Sequence, residues 1–93
     1  MVVGLMELGI HYEASHSLKD KRRICRSIKE KLRQKYNISI IEHAYHDLWQ
    51  KLGLAITQVA SDKEILEKSF SQIENFILTN YPVDIVECSR GYH

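Results

Sequence analysis

An α+β fold with its elements in the order βαββαβ is predicted by three features of this 93-residue sequence. Two stretches, one from Leu18 and one from Ile65, repeat apolar residues at spacings of three and four, the period of one helix face. Each follows a tetrapeptide with the form of a capping box, Ser17-Leu18-Lys19-Asp20 and Ser61-Asp62-Lys63-Glu64. Four apolar or β-branched runs flank and separate these stretches and read as strands. With 44% apolar and 27% charged residues, so short a chain has material for one core, so residues 1–93 are expected to be a single domain.

Val2 to Tyr12 is almost continuously apolar or small, which suits a central strand buried on both faces. The Ser17 hydroxyl can accept an early helix N–H while Asp20 reaches back to the N–H of the cap itself. Ile24, Cys25, Ile28, Leu32 and Tyr36 then mark the inner stripe of a helix of about 18 residues that ends at Asn37. Ile38 to Ala44 is a second strand, Tyr45 to Asp47 a polar connection, and Trp49 to Ala60 a third strand paired with the second. Ile65, Leu66, Phe70, Ile73 and Ile77 carry the second helix, which Asn80-Tyr81-Pro82 stops. Val83, Ile85, Val86 and Cys88 supply the last strand. No internal repeat at the residue level and no Pro/Gly/Ser linker interrupts this order.

Right-handed crossovers joining two βαβ-like halves give the ferredoxin-like sandwich, with both helices on one face of a four-stranded antiparallel sheet of order 4-1-3-2. The other face then has no helix over it. Leu5, Ile41, Ala55 and Val86 are candidates to populate that face, and an uncovered apolar face implies a partner, here a homodimer formed through the open face or an edge strand.

The formal net charge of +1 excludes a globally basic nucleic-acid coater and an acidic solvating tail. Charge is nevertheless segregated. From Lys19 to Lys35 nine basic residues face only Asp20 and Glu30, a net +7, which leaves the remainder with four basic and ten acidic side chains, a net −6. Lys19, Lys21, Arg22 and Arg23 stand in the opening turns of the helix, where the macrodipole disfavours cations by about 0.3–1 kcal/mol each. Unpaired helix N–H groups and arginine forks at such a place suit phosphate, so Lys19, Lys21, Arg22, Arg23, Arg26, Lys29 and Arg33 are the expected nucleic-acid contacts. The competing reading is a solvated face, neutralised by Asp62, Glu64, Glu67 and Glu74 of the second helix.

The runs Ser17-Leu18-Lys19-Asp20-Lys21-Arg22-Arg23, Lys35-Tyr36-Asn37-Ile38-Ser39-Ile40-Ile41-Glu42 and Asp47-Leu48-Trp49-Gln50 resemble the YlxP-like family, bacterial domain of unknown function 503. The resemblance covers nearly the whole chain, and its most specific part is the run from Ser17 to Arg22. It implies a ferredoxin-like fold and a link to translation or ribosome maturation, and it brings no enzymatic activity. The family's motif falls on Ser17, Leu18, Lys19, Asp20, Lys21, Arg22, Glu42, Asp47, Trp49 and Gln50, of which Glu42, Asp47, Trp49 and Gln50 form a candidate hairpin or interface site. His43, Ala44 and His46 depart from the family's usual residues, so a histidine-based function is not expected as a family trait.

Other chemistry has weaker signals. Glu42, His43, His46 and Asp47 could offer metal ligands, but on a strand Glu42 and His43 point to opposite faces, and no zinc spacing is matched. No metal and no cofactor are expected. Nucleophile elbows, glycine-rich phosphate loops and the aromatic run of RNA-recognition sheets are absent. Cys25 and Cys88, 63 positions apart, read as reduced packing thiols, and the lone Trp49 as a core or interface residue. The apolar runs are too short for a membrane span and the N-terminus lacks the charged region of a secretory signal, so a cytoplasmic protein without membrane contact is expected. Together these features favour a non-enzymatic protein whose basic first helix docks on structured, ribosomal RNA; the alternative is a homodimeric protein-interaction module.

Overall fold

Residues Met1–His93 are described by a computed structural model, in which β1 (Val2–His11), α1 (Leu18–Lys35), β2 (Ser39–Ala44), β3 (Lys51–Ala60), α2 (Lys63–Asn80) and β4 (Asp84–Tyr92) follow one another. The four strands form one antiparallel sheet in the order β2-β3-β1-β4, the predicted order read from the other edge. β1 and β3 are central, in register from Val2 opposite Ala60 to His11 opposite Lys51. No helix is long and apolar enough to cross a membrane.

Alternation along the strands decides where the core lies. Met6, Leu8 and Ile10 of β1, Leu52, Leu54 and Ile56 of β3, and Ile40 of β2 point to one side. They meet Ile24, Cys25, Ile28 and Leu32 of α1 and Leu66, Phe70, Ile73 and Ile77 of α2. Each large side chain so buried contributes about 1.5–3 kcal/mol of transfer free energy. β1 is therefore buried on one face along most of its length and not on two: Leu5 and Glu7 are exposed on the far side, while Gly9 is buried there beneath the Glu87 side chain.

The helix caps differ in detail from the pattern. Ser17 Oγ accepts the Asp20 N–H at 3.1 Å, as a cap should, but the Asp20 carboxylate accepts the His16 N–H at 3.0 Å, one residue before the cap. At α2 the cap is Asp62, accepting the Ile65 N–H at 3.0 Å, in place of Ser61. Both helices run 18 residues and end on a tyrosine in extended conformation, Tyr36 and Tyr81. Trp49 lies in the β2–β3 connection, because β3 starts only at Lys51.

Both edge strands carry a register shift. Between Glu42 opposite Leu54 and Ala44 opposite Gly53, His43 is the extra residue on β2. Between Ile85 opposite Ile10 and Glu87 opposite Gly9, Val86 is the extra residue on β4. These are β-bulges.

Candidate functional site

The α1 cations separate into two groups with different work. Lys19, Arg22, Arg23 and Arg26, spaced three and four apart, are exposed and together line a shallow surface depression containing no other side chains. None of them lies within 4.0 Å of a carboxylate. The α2 acids do not neutralise the stripe: Glu67 pairs with Lys63 and Glu74 with Arg90. Lys29 is half-buried.

Lys21 is turned inward and as a phosphate contact is corrected, whereas Arg33 stays exposed with part of its guanidinium engaged within the protein. The Lys21 side chain is 1% exposed. Its ammonium donates to the Tyr45 carbonyl at 2.8 Å and the His46 carbonyl at 3.1 Å, and lies 3.4 Å from Glu42 Oε2. A buried ammonium must find such partners, since an unpaired one would cost several kcal/mol. Lys21 sits three residues before Ile24 and seven before Ile28, on the inner stripe; helical spacing held this information, and the residue type obscured it. The Arg33 guanidinium donates to the Ile40 carbonyl at 2.8 Å and so clamps α1 to β2.

The same division runs through the hairpin candidates. Glu42 faces Lys21 from the helix side of β2. Gln50 Nε2 donates to the Glu13 and Ser15 carbonyls at 3.1 and 3.2 Å, and the Gln50 carbonyl accepts the Tyr12 N–H at 2.8 Å, which fixes the β1–α1 loop. Asp47 and Trp49 remain at the surface; Trp49 is 49% exposed, so of the two expected places, core or interface, it is not in the core. Ser17, Lys21, Glu42 and Gln50 thus form the architecture that presents the exposed basic stripe.

A second depression adjoins that stripe. Tyr12, Asp20, Arg23, Ile24, Ser27 and Tyr81 line a cavity of about 310 Å³ that shares Arg23 with the basic depression. Tyr12 and Tyr81 are the residues that immediately follow β1 and α2, and two tyrosines at element ends gave no sequence signal of convergence.

The open sheet face is divided. At one end Leu5, Ile41, Ala55 and Thr57 surround a small apolar hollow, with Ile41 57% exposed. At the other end Gly9 and Gly53 stand opposite each other in the central strands. A Cβ on Gly53 would come 2.8 Å from Ala44 Cβ, and one on Gly9 would come 2.9 Å from the Glu87 side chain. This bare floor is covered by Tyr45, whose positive φ of 61° turns the chain. Its hydroxyl donates to Glu87 at 2.8 Å, and Lys51 lies over the ring at 4.1 Å from its centroid. Lys51 and Tyr45 hold the Glu87 carboxyl below the usual range, and Glu87 raises the Lys51 ammonium. His43 reaches Glu7 at 3.9 Å on this face while Glu42 points to the other, the opposition that alternation predicts. No group of three or more His, Cys, Asp or Glu side chains comes together with ligating geometry. Burial, then Glu42, raises the Cys25 thiol, and burial, then Glu74, raises that of Cys88, so neither is an activated thiolate.

Comparison with known proteins fixes the relationship. A family model described as "Protein of unknown function (DUF503)" matches residues 3–90. The chain belongs to the DUF503 family. Within DUF503 it is similar to the "Uncharacterized protein YlxP" of Bacillus subtilis (strain 168), with 37% identity over 68 residues that cover 73% of each chain. The span matched by the family model takes in Ser17, Lys21, Glu42 and Gln50, the residues that tie α1 to the hairpin and to the β1–α1 loop. Among solved structures, the de novo designed protein Foldit4 aligns with a TM-score of 0.53 at 16% identity over 97% of this chain and 94% of its own. The designed protein LFR1 1 with ferredoxin fold gives 0.51 at 16% over 100% and 86%. A putative antibiotic biosynthesis monooxygenase from Deinococcus radiodurans gives 0.50 at 15% over 100% and 90%. At these identities the structures establish the ferredoxin-like fold alone.

Proposed function

We propose that this DUF503 protein is a non-enzymatic RNA-binding protein whose exposed α1 stripe docks on structured, ribosomal RNA. The observation that carries the reading is the set Lys19, Arg22, Arg23 and Arg26, four unpaired cations gathered at the start of one helix. Two features separate it from an ordinary solvated face. Lys19, in the first turn, works against the helix macrodipole, so stability does not select it. The four cations also make no intramolecular ion pair, although the remaining residues carry ten acids, more than enough to quench the stripe's four charges if placed beside it. Arginine forks bind phosphate oxygens in pairs and position RNA without reading its sequence.

The test is fluorescence anisotropy of a labelled ribosomal RNA fragment with the wild type and an R22E/R23E/R26E variant at two salt concentrations. Micromolar or tighter binding that weakens steeply with salt and is lost in the folded variant supports the reading. Absence of binding by the wild type at low salt rejects it. A second reading, a homodimeric interaction module, is favoured by one observation, the apolar end of the open face formed by Leu5, Ile41 and Ala55. Sedimentation at tens of micromolar checks it: a monomer there removes the dimer.

A further inference from the structure

We infer that the cavity between α1, the end of β1 and the end of α2 receives one unpaired nucleobase of the bound RNA, while the flanking phosphates lie on the basic stripe. This rests on the RNA reading above and specifies the feature of RNA that is recognised. Arg23 belongs to both depressions, so a strand tracking Arg22, Arg23 and Arg26 passes the mouth of the cavity.

The lining suits a base and not a phosphate. Tyr12 and Tyr81 offer aromatic rings and Ile24 an apolar side. Tyr81 is held in place before any ligand arrives: its hydroxyl is 2.9 Å from Ser27 Oγ, and its ring makes an edge contact with Phe76 at 6.5 Å between centroids. Lys31 lies over one face of the Tyr81 ring, 5.5 Å from its centroid, which leaves the opposite face for a base. Asp20 is the one acid of the cavity. Its Oδ2 is engaged by the His16 N–H, which fixes the carboxylate, and its Oδ1 remains an acceptor. A carboxylate repels a phosphate and accepts from the exocyclic amino group of a base. Phosphate outside and base inside is how a looped-out nucleotide is bound, whereas a continuous duplex keeps its bases stacked away from such a cavity.

The experiment compares two labelled RNA hairpins that differ only in one bulged adenine, titrated with the full chain. The wild type is expected to bind the bulged hairpin at least about fivefold more tightly, the lower end of what one base–aromatic stack supplies. Tyr12→Leu and Tyr81→Leu should each abolish the preference and leave affinity for the paired hairpin unchanged, whereas Tyr81→Phe, which keeps the ring, should retain it. Equal wild-type affinity for the two hairpins overturns the base cavity and leaves the basic stripe standing. No binding to either hairpin overturns both. If a leucine variant fails to fold by circular dichroism, the wild-type comparison still decides, together with fluorescence of 2-aminopurine at the bulge, which must change on binding if the base leaves solvent for the tyrosines.

Discussion

The two helices are the same object built with two purposes. Each has 18 residues, an oxygen-bearing cap and a closing tyrosine, and buried residues at the fourth, eighth, eleventh and fifteenth positions. In α2 those positions hold Leu66, Phe70, Ile73 and Ile77; in α1 they hold Lys21, Cys25, Ile28 and Leu32. The fourth position is the informative one. A leucine there ends its work in the core, whereas a lysine carries three donors through the same place and ties down the hairpin connection 24 and 25 residues away. On the outer side α2 is mixed in charge and makes its own ion pair, while α1 keeps four cations unpaired. Along its length α2 is chiefly packing, whereas α1 is packing that also holds up a charged surface.

Substitution at the fourth position should break this comparison most strongly. Lys21→Met leaves Glu42 and two carbonyls without their donor and should cost about 3 kcal/mol, lowering Tm by ~10 °C or more. Adding Glu42→Gln should restore part of that loss, and thermal melts of the two single variants and the double variant measure the coupling. Neither should change the salt dependence of RNA affinity, since neither side chain is at the surface. Next come the caps: Ser17→Ala and Asp62→Ala should each cost about 1 kcal/mol in urea unfolding. Smaller still, and opposite in sign, Lys19→Glu should stabilise the protein by about 0.5 kcal/mol through the macrodipole while weakening RNA binding. A residue that lowers stability and raises affinity is selected for the second; loss of stability in Lys19→Glu would count against that.

The smallest effect concerns the open face. Because Glu87 titrates lower when folded, its pair with Lys51 contributes stability above the ordinary carboxylate value of 4.5, and that contribution is lost as pH falls through the depressed value. The wild type should therefore exceed Glu87→Gln in stability at neutral pH, and the difference should vanish in acid. A difference that grew below pH 4.5 would contradict the assignment.

Element order, sheet order and nearly all core positions were legible in the sequence because helix and strand periods are local. The β1 apolar run misled only about its outer face, where Leu5 and Glu7 are exposed and Gly9 is covered by a side chain of another strand. The site was legible in part. Exposed cations at three-and-four spacing revealed the stripe, but a lysine on the inner stripe looks like its neighbours until its acceptors are seen, and those lie on another element. Tyr12 and Tyr81 gave no signal for the same reason: they are 69 positions apart and line one cavity only once the chain is folded.

The bulges at His43 and Val86 bear on assembly. Each edge of the sheet has one extra residue part-way along its ladder, and β2 is only six residues long, so neither side offers a long, flat row of free N–H and C=O groups on which another chain could zip. In-plane pairing with a neighbour is thereby disfavoured at both edges, which makes the open face the easier direction of approach.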